Sequence, residues 1–367
     1  MSGGESSPRV YSLNEGVRVF RGGDEIRFRK GVWNFNEAVV RLAGQSERVV
    51  GFFTAVYETL RQGRDADVDA IGEEVGAGAE ELTGYIQLLD SLASQQYLCG
   101  PRQRDVARTV NALLGGSLGG FEDYIREPRP ILFFSDRESS REAAQLLARQ
   151  VPMRMDVLAD DDLQALTRVD LTTRVDAVGH ERDLERFSRL FGSYAVVVGC
   201  LGDPCVSMLR NLNRVLVHLE KPLVLGLVDG PFLSLLAAHP TQTGCFECYE
   251  QRLLARQQDT VVYHKYVSGT ADGGGVGRGA TRSAPSLHLL TAAALSEALL
   301  YASVGMTRLA GRVVNAYLPL LEIQVQDLLR VPYCPGCGFV AKARMDELYT
   351  SSKRLVDEML KRVEVKG

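Results

Sequence analysis

Four cysteines in two pairs carry the clearest chemistry in this chain. They occur as Cys245-Phe-Glu-Cys248 and Cys334-Pro-Gly-Cys337, with 85 residues between the pairs. Each C-x-x-C turn can present two thiolates to one metal ion, and two such turns complete the tetrahedral S4 shell that zinc prefers. Because a closed S4 shell leaves no position for water or substrate, we predict a structural zinc ion (Zn2+). Two separate redox pairs and an iron–sulfur cluster are the alternatives.

The overall composition is that of an ordinary globular protein. The chain has 367 residues, 45% hydrophobic and 24% charged, which is enough for two domains. A net charge of -4 gives no general attraction to nucleic acid or anionic lipid. We find no apolar run of the roughly 18 residues that a membrane helix needs, and residues 1–16 lack the pattern of a signal peptide. We therefore expect a cytoplasmic protein with no nucleic-acid and no membrane partner.

The first 100 residues predict a small module of short strands and helices. Val17–Phe20 and Glu25–Phe28 alternate apolar and polar residues around a Gly-Gly-Asp turn, which predicts a hairpin, and Ala38–Leu42 can add a third strand. Apolar residues then recur at helical spacing. Three helices are expected. Ser46 is the predicted N-cap of the first, Asp65 or Asp67 is the predicted N-cap of the second, and the third covers Leu82–Leu92.

Charge argues against DNA binding by this winged-helix-like module. Between Asp65 and Pro101 there is no lysine, arginine or histidine, whereas contact with phosphates requires them. The other use of such a module is to accept a peptide as an added strand beside a helix with apolar pockets. The residues expected to bind it are Val39, Val40, Arg41 and Leu42 on the strand and Tyr85, Leu89 and Leu92 on the helix. The alternative is that these apolar side chains form only the core of the module.

This order of elements, over residues 14–100, resembles the PqqD-like recognition element of ribosomal-peptide biosynthesis proteins. The resemblance implies a domain that holds the leader segment of a precursor peptide. It rests on the pattern of elements, since no invariant motif is available to check.

The rest of the chain predicts an α/β domain with a parallel sheet. Continuous apolar strands alternate with helices, as is typical of parallel sheets with both faces covered. The loop after the first strand, Ser135–Ser140, contains no glycine, so its backbone cannot approach a pyrophosphate as a dinucleotide fingerprint does. The predicted elements are strands over 131–134, 194–199 and 222–228, helices over 139–149 and 207–219, a Gly-rich loop over 268–280, a helix over 287–303, and a hairpin of 313–318 with 321–325.

Two further cysteines lie where α/β proteins collect functional groups. Cys200 follows a predicted strand at its carboxyl end, and Cys205 is close behind it. Either could be a nucleophile, although a buried structural thiol is the commoner role for such a residue.

The large domain resembles the E1-like, ThiF-type adenylating fold. The resemblance is carried by the strand that ends at Gly199, by Pro222–Gly226 with Asp229-Gly230, by Gly244-Cys-Phe-Glu-Cys248, and by Val331-Pro-Tyr-Cys-Pro-Gly-Cys-Gly338. It implies the fold and the zinc ion. Active members of that family use a Gly-rich loop after the first strand, where this chain has Ser135–Ser140 without glycine.

Together the two parts resemble the ocin-ThiF-like partner protein of azole-forming peptide pathways, including thiopeptide pathways, over about residues 14–340. The resemblance implies a protein without catalytic activity of its own. Such a protein captures the leader peptide and presents the core to a separate YcaO cyclodehydratase, which uses ATP to convert Cys, Ser or Thr to azolines. It also implies a homodimer. The alternative is an active E1-like enzyme that adenylates a carboxyl terminus with ATP.

These inferences divide the chain into four segments. We expect a leader-recognition domain over residues 1–100, a linker helix over 101–128, the E1/ThiF-like zinc domain over 129–340 and a helical tail over 341–367.

Overall fold

Residues 9–33, 36–100, 105–115, 124–173, 175–240, 242–271 and 284–338 are described in the computed structural model of the chain. The chain divides into two compact units, Met1–Arg126 and Glu127–Gly367. Each unit has its own core cluster of buried apolar side chains, and each is considered separately below. The predicted tail over 341–367 lies outside the described residues, as do parts of the predicted linker at 101–104 and 116–123.

The first unit is built from short strands and four helices within the described residues. Ser46 caps the first long helix as predicted, because its hydroxyl accepts a hydrogen bond from the amide of Val49 at 3.4 Å. Asp67 likewise caps the second helix. The elements are β1 (Val10–Leu13), β2 (Val17–Gly22), β3 (Glu25–Lys30), β4 (Asn36–Arg41), α1 (Glu47–Arg61), β5 (Ala66–Asp67), α2 (Val68–Glu74), α3 (Ala79–Ser94), β6 (Leu98–Cys99) and α4 (Asp105–Leu113).

The strands of this unit form two small antiparallel sheets. One sheet has the order β2-β3-β4, with Gly22 opposite Glu25 across the predicted turn and Ile26 opposite Val40. The other sheet, β5-β1-β6, does not appear among the sequence predictions. Its outer strands are two residues long, too short to show the alternation by which strands are recognised.

The second unit contains a seven-stranded sheet with helices on both faces. Its elements are β7 (Ile131–Ser135), α5 (Glu138–Gln150), β8 (Met155–Val157), α6 (Asp160–Arg168), α7 (Ala177–Phe191), β9 (Val196–Leu201), α8 (Val206–His218), β10 (Leu223–Asp229), β11 (Phe232–Ala238), α9 (Phe246–Leu254), α10 (Thr260–Ala271), α11 (Ala284–Val304), β12 (Arg312–Tyr317) and β13 (Glu322–Asp327). Helix α10 extends into the first residues of the predicted Gly-rich loop, and residues 272–280 of that loop are outside the described part.

The sheet is mixed, which corrects the prediction of a parallel sheet. Its order is β13-β12-β11-β10-β9-β7-β8. Strands β8, β7, β9 and β10 are parallel, whereas β11, β12 and β13 continue the sheet in antiparallel pairs. The direction reverses at a two-residue turn, Gly230-Pro231, where Gly230 has a φ of 56°. Because the chain leaves β7 towards β8 and returns to β9 on the other side of β7, the carboxyl ends of β7 and β9 enclose the topological switch point.

Helix α11 is the longest and most apolar helix among the described residues. Pro285–Val304 is long and apolar enough to cross a membrane by length and composition, so the expectation that no segment meets this criterion is wrong. However, 67% of its most apolar window is buried. The helix packs on β9, β10 and β11, and Leu290, Ala294 and Ala298 lie in the core on that face of the sheet. Core packing therefore accounts for its apolar composition.

Candidate functional site

The fold brings the four paired cysteines together. Cys245 is the residue before α9, Cys248 lies in the first turn of that helix, and Cys334 and Cys337 lie in the turn region that follows β13. The Sγ atom of Cys245 is 3.9 Å from that of Cys248 and 3.6 Å from that of Cys334. The Sγ atoms of Cys248 and Cys337 are 3.4 Å apart. All four sulfur atoms lie within 4.8 Å of one another, so they can hold one metal ion.

The distances between the sulfur atoms fit a tetrahedral metal shell. With Zn–S bonds of about 2.3 Å, a regular tetrahedron has S–S edges of about 3.8 Å. A disulfide requires about 2.05 Å, far below any of these separations. Contacts between the two pairs are as short as the contacts within a pair, which argues against two independent redox pairs. The donor set is compatible with zinc.

The sulfur atoms of this cluster are buried, so they can all be thiolates only if a cation compensates their charge. Cys245, Cys248 and Cys334 are fully buried, and Cys337 is half-buried. Hydrogen bonds from the neighbouring thiols, that of Cys245 first, lower the pKa of Cys248 and of Cys337. Several thiolates in a buried site repel one another unless a metal ion compensates their charge.

Three polar residues support the cluster from α8 and α9. The amide nitrogen of the Asn213 side chain donates to the Sγ atom of Cys245 at 3.5 Å and to Glu247 at 2.9 Å, and its oxygen accepts from the amide of Phe246 at 3.1 Å. Arg214 forms a bidentate ion pair with Glu247, with nitrogen–oxygen distances of 2.7 Å and 2.9 Å. Side chains of this kind orient metal ligands and commonly affect metal affinity as strongly as a weak ligand does.

The second cysteine turn packs closely on the same residues. A Cβ atom on Gly336 would lie 2.7 Å from the Asn213 amide nitrogen and 2.7 Å from a carboxylate oxygen of Glu247. The backbone amide of Val331 also donates to the Sγ atom of Cys248 at 3.3 Å. Glycine is thus needed at position 336 for close approach.

Sequence reasoning found the cysteines and missed this support. Glu247 lies inside the first C-x-x-C turn, and Asn213 is one of two asparagines, with Asn211, among the buried residues of α8. A charged residue between two buried ligands and an asparagine on a buried helix face were the available signals. These signals did not show that Asn213 and Glu247 are in contact, because the two residues are 34 positions apart in the sequence.

The switch-point crevice at the ends of β7 and β9 is filled by the chain's own side chains. Asp136 accepts hydrogen bonds from the backbone amides of Gly202 and Asp203, each at 2.8 Å. Arg137 pairs with Asp203, and the Ser135 hydroxyl donates to the carbonyl of Cys200 at 2.6 Å. Burial raises the pKa of Asp136, and the hydrogen bond from Gly202 partly offsets this. Two amides that could receive an anionic ligand therefore already hold a carboxylate.

The cysteines near this crevice are poorly suited to nucleophilic chemistry. Cys200 is fully buried, and burial raises the pKa of its thiol to about 12. At neutral pH it is therefore a thiol and not the reactive thiolate. Cys205 is half-buried, with its Sγ atom 3.2 Å from the hydroxyl of Ser207.

The residues expected to bind a peptide divide into exposed and buried groups. Val39 and Arg41 of β4 are exposed, whereas Val40 and the following Leu42 are buried. The three helix residues, Tyr85, Leu89 and Leu92, lie in the core of the first unit, where the Tyr85 ring packs 4.5 Å from that of Phe52. Within the described residues β4 pairs with β3 alone, so it is an edge strand.

Comparison with known proteins gives a fold relationship. No protein-family model matches the chain, and no curated protein matches it. Among solved structures, the heterocyclase TruD matches with a TM-score of 0.58 and 16% identity, over 90% of this chain and 43% of that chain. A heterocyclase in complex with substrate and cofactor matches with a TM-score of 0.57 and 16% identity, over 90% and 40%. Escherichia coli MccB with succinimide matches more loosely, with a TM-score of 0.49 and 14% identity, over 90% and 100%.

The two heterocyclase matches establish that this chain shares their fold over nine tenths of its length. At 16% identity the likeness concerns the fold alone. The chain spans about two fifths of the length of these two heterocyclase chains.

Proposed function

We propose that this chain is a leader-binding adaptor of an azoline-forming peptide pathway. It captures the leader segment of a ribosomal precursor peptide and presents the core to a separate YcaO cyclodehydratase, which forms azolines from Cys, Ser or Thr. The observation that carries the proposal is the open edge of β4. The fold shared with two heterocyclases, one solved with its substrate, supports the choice of pathway.

Hydrogen bonding fixes which residues of β4 face the open edge. The amide of Leu42 donates to the carbonyl of Asp24 at 2.8 Å, so Leu42 is directed towards β3. Backbone groups alternate in direction along an antiparallel strand. Val40 and Ala38 therefore also face β3, whereas the amides and carbonyls of Arg41, Val39 and Glu37 face outward. An extended peptide can pair with these groups as an added strand.

Contacts at both ends of α3 give its direction relative to the sheet that contains β4. Near its C-terminus, Lys30 at the end of β3 donates to the carbonyl of Gln95 at 2.6 Å. Near its N-terminus, Glu81 forms an ion pair at 3.5 Å with Arg48, which lies in the first turn of α1, the helix that follows β4. In our proposal α3 runs antiparallel to β4. Tyr85, Leu89 and Leu92 are buried in the core of the first unit and hold α3 in place, so the leader contacts the exposed Val39 and Arg41 of β4.

The proposed mechanism is an increase in effective concentration. A leader held by the adaptor tethers the core peptide near the cyclodehydratase, so that modification becomes effectively intramolecular. A short flexible tether gives a local substrate concentration in about the millimolar range. The adaptor needs no catalytic residue for this effect, and a structural zinc ion held by the four cysteines would stabilise its second unit.

The switch-point crevice disfavours the alternative of an adenylating enzyme. An ATP phosphate at this position would have to displace Asp136 from the amides of Gly202 and Asp203. The loop between β7 and α5 contains no glycine, so its backbone cannot approach a phosphate group closely enough to form a second binding site for it.

The test is a fluorescence-polarisation titration with the labelled leader of the precursor that is encoded beside this gene, against the full chain and without ATP. We expect a Kd in the micromolar range or tighter, and a loss of at least tenfold in Val39→Pro, which removes an outward amide. Arg21→Pro is the matched control, because alternation places Arg21 at the outward positions of the opposite edge, β2. Equal loss in both variants, or no binding to the parent chain, would contradict the proposal.

A further inference from the structure

We propose that the second unit binds an arginine side chain of a peptide on one face of β11, β12 and β13, where Phe232, Tyr317 and Glu322 lie side by side. A cavity of about 450 Å³ opens on this face. Its walls are formed by Pro231, Phe232, Asn315, Tyr317, Glu322 and Gln324. The site lies within the second unit, and the inference does not depend on the proposed leader binding at β4.

Strand register places two aromatic and two acidic residues in one row across the sheet. Asp229 of β10 is opposite Phe232 of β11, and Phe232 is opposite Tyr317 of β12. Tyr317 is in turn opposite Glu322 of β13. Residues that are directly opposite each other project from the same face, with Cβ atoms about 5 Å apart. A pair of aromatic rings is therefore flanked by a carboxylate on either side.

The two rings form an aromatic surface that a ligand can reach. Their centroids are 5.1 Å apart, and their planes are inclined by 37°. Phe232 is 43% exposed, and Tyr317 is half-buried. A cation placed over such a ring is attracted by the negative face of its π-system, and a planar guanidinium group also stacks on it.

The charge of this row selects a cation as the ligand. Asp229 and Glu322 are exposed, and in the described part of the chain neither carboxylate forms an ion pair. A guanidinium group that lies on the Tyr317 ring can direct two parallel hydrogen bonds from its edge to Glu322. The ammonium group of lysine is a point charge without a plane, so it cannot make both contacts in this way. The row therefore favours arginine.

The neighbouring row of side chains favours an arginine that belongs to a peptide. Ser234, Asn315 and Gln324 are opposite one another on the same face, about 7 Å along the strands. The Ser234 hydroxyl donates to Oδ1 of Asn315 at 2.7 Å, and the amide nitrogen of Asn315 has no hydrogen-bond partner among the described residues. The Gln324 side chain is exposed. Side-chain amides both donate to and accept from peptide groups, so this row can hold the backbone that carries the arginine.

A ligand-observed NMR titration of the full chain with acetyl-Gly-Arg-Gly-amide tests the site. We expect a Kd of about 1 mM or tighter, the range of a small ligand with one charged group. The same peptide with citrulline, which keeps the shape of arginine without its charge, should bind about tenfold more weakly or worse. Free arginine amide should also bind about tenfold more weakly, because it lacks the flanking peptide groups.

Four variants locate the binding on the protein. Glu322→Gln should weaken the binding about tenfold, and Tyr317→Leu, which keeps an apolar side chain without the ring, about threefold. Asp327→Asn is the matched control, because Asp327 is exposed on the same strand and alternation places it on the opposite face. It should bind as the parent chain does. Val39→Pro, which alters the proposed leader edge, should also leave this binding unchanged.

Four results would overturn the proposal. The parent chain may show no binding, or it may bind the arginine and citrulline peptides equally. Equal binding of free arginine amide and the peptide would indicate a site for a small cation. Equal loss in Glu322→Gln and Asp327→Asn, or a loss in Val39→Pro, would place the peptide elsewhere on the chain.

Discussion

The cysteine cluster and the switch-point crevice are both polar sites in the second unit. They differ in whether the chain itself supplies the partner of their polar groups. In the cluster four sulfur atoms lie within 4.8 Å of one another, an arrangement that can hold a metal ion. In the crevice the amides of Gly202 and Asp203 already bind the carboxylate of Asp136. The balance of donors and acceptors therefore distinguishes a site that requires a ligand from a site that the chain has closed itself.

The largest effect is expected from loss of a cysteine ligand. Cys334→Ser should reduce bound zinc from one per chain to well under one, because the remaining three sulfur atoms leave the shell open. Structural zinc sites contribute about 10 kcal/mol or more of apparent binding free energy, so the second unit should unfold. Metal analysis and thermal melting measure this. Cys205→Ser, outside the cluster, should retain both zinc and melting temperature, and equal zinc content in the two variants would contradict a four-sulfur site.

A smaller effect is expected from the support of the cluster. Glu247→Ala leaves Arg214 without its buried partner, which should cost about 3–5 kcal/mol of unfolding free energy. It also frees the Asn213 side chain that holds Cys245, so zinc affinity should fall about 10- to 100-fold. Urea unfolding and competition with a chelator measure the two quantities. Glu138→Ala removes a 70% exposed partner of Arg141 and should cost at most about 1 kcal/mol. If the two variants lose the same free energy, Glu247 does not support the site.

The smallest effect is expected at the crevice. Asp136→Ala leaves two backbone amides without their acceptor, which should cost about 1–3 kcal/mol. Inorganic phosphate should restore part of this stability in the variant and none in the parent chain, since only the variant has an open anion site. Asp161→Ala, at an exposed position in the first turn of α6, is the control. Phosphate stabilisation of the parent chain would show that the crevice is not closed.

Local sequence patterns predicted much of this fold. The C-x-x-C turns, the Ser46 cap and the hairpin around Gly23 depend on residues close together in sequence, and all three are confirmed by the positions of the elements. The apolar runs at Val196–Leu201 and Leu223–Asp229 indicated buried strands for the same reason.

Strand direction and long-range partners were not accessible in this way. Phe232–Ala238 is a continuous apolar run, which does not reveal whether a strand is parallel or antiparallel. The Asp229-Gly230 pair was an available turn signal for the antiparallel strand, and it was interpreted only as part of a family resemblance. The hydrogen bond from the amide of Gly202 to Asp136 joins residues that are 66 positions apart, and no local pattern connects them.

Isothermal titration of ATP with Mg2+ into the full, zinc-loaded chain tests most directly the claim that this chain is an adaptor and not an adenylating enzyme. The closed crevice predicts no binding heat up to about millimolar ATP, a Kd limit that corresponds to only about 4 kcal/mol. Binding at micromolar affinity would contradict the account, because ATP would then have displaced Asp136 or found a site that the described residues do not form.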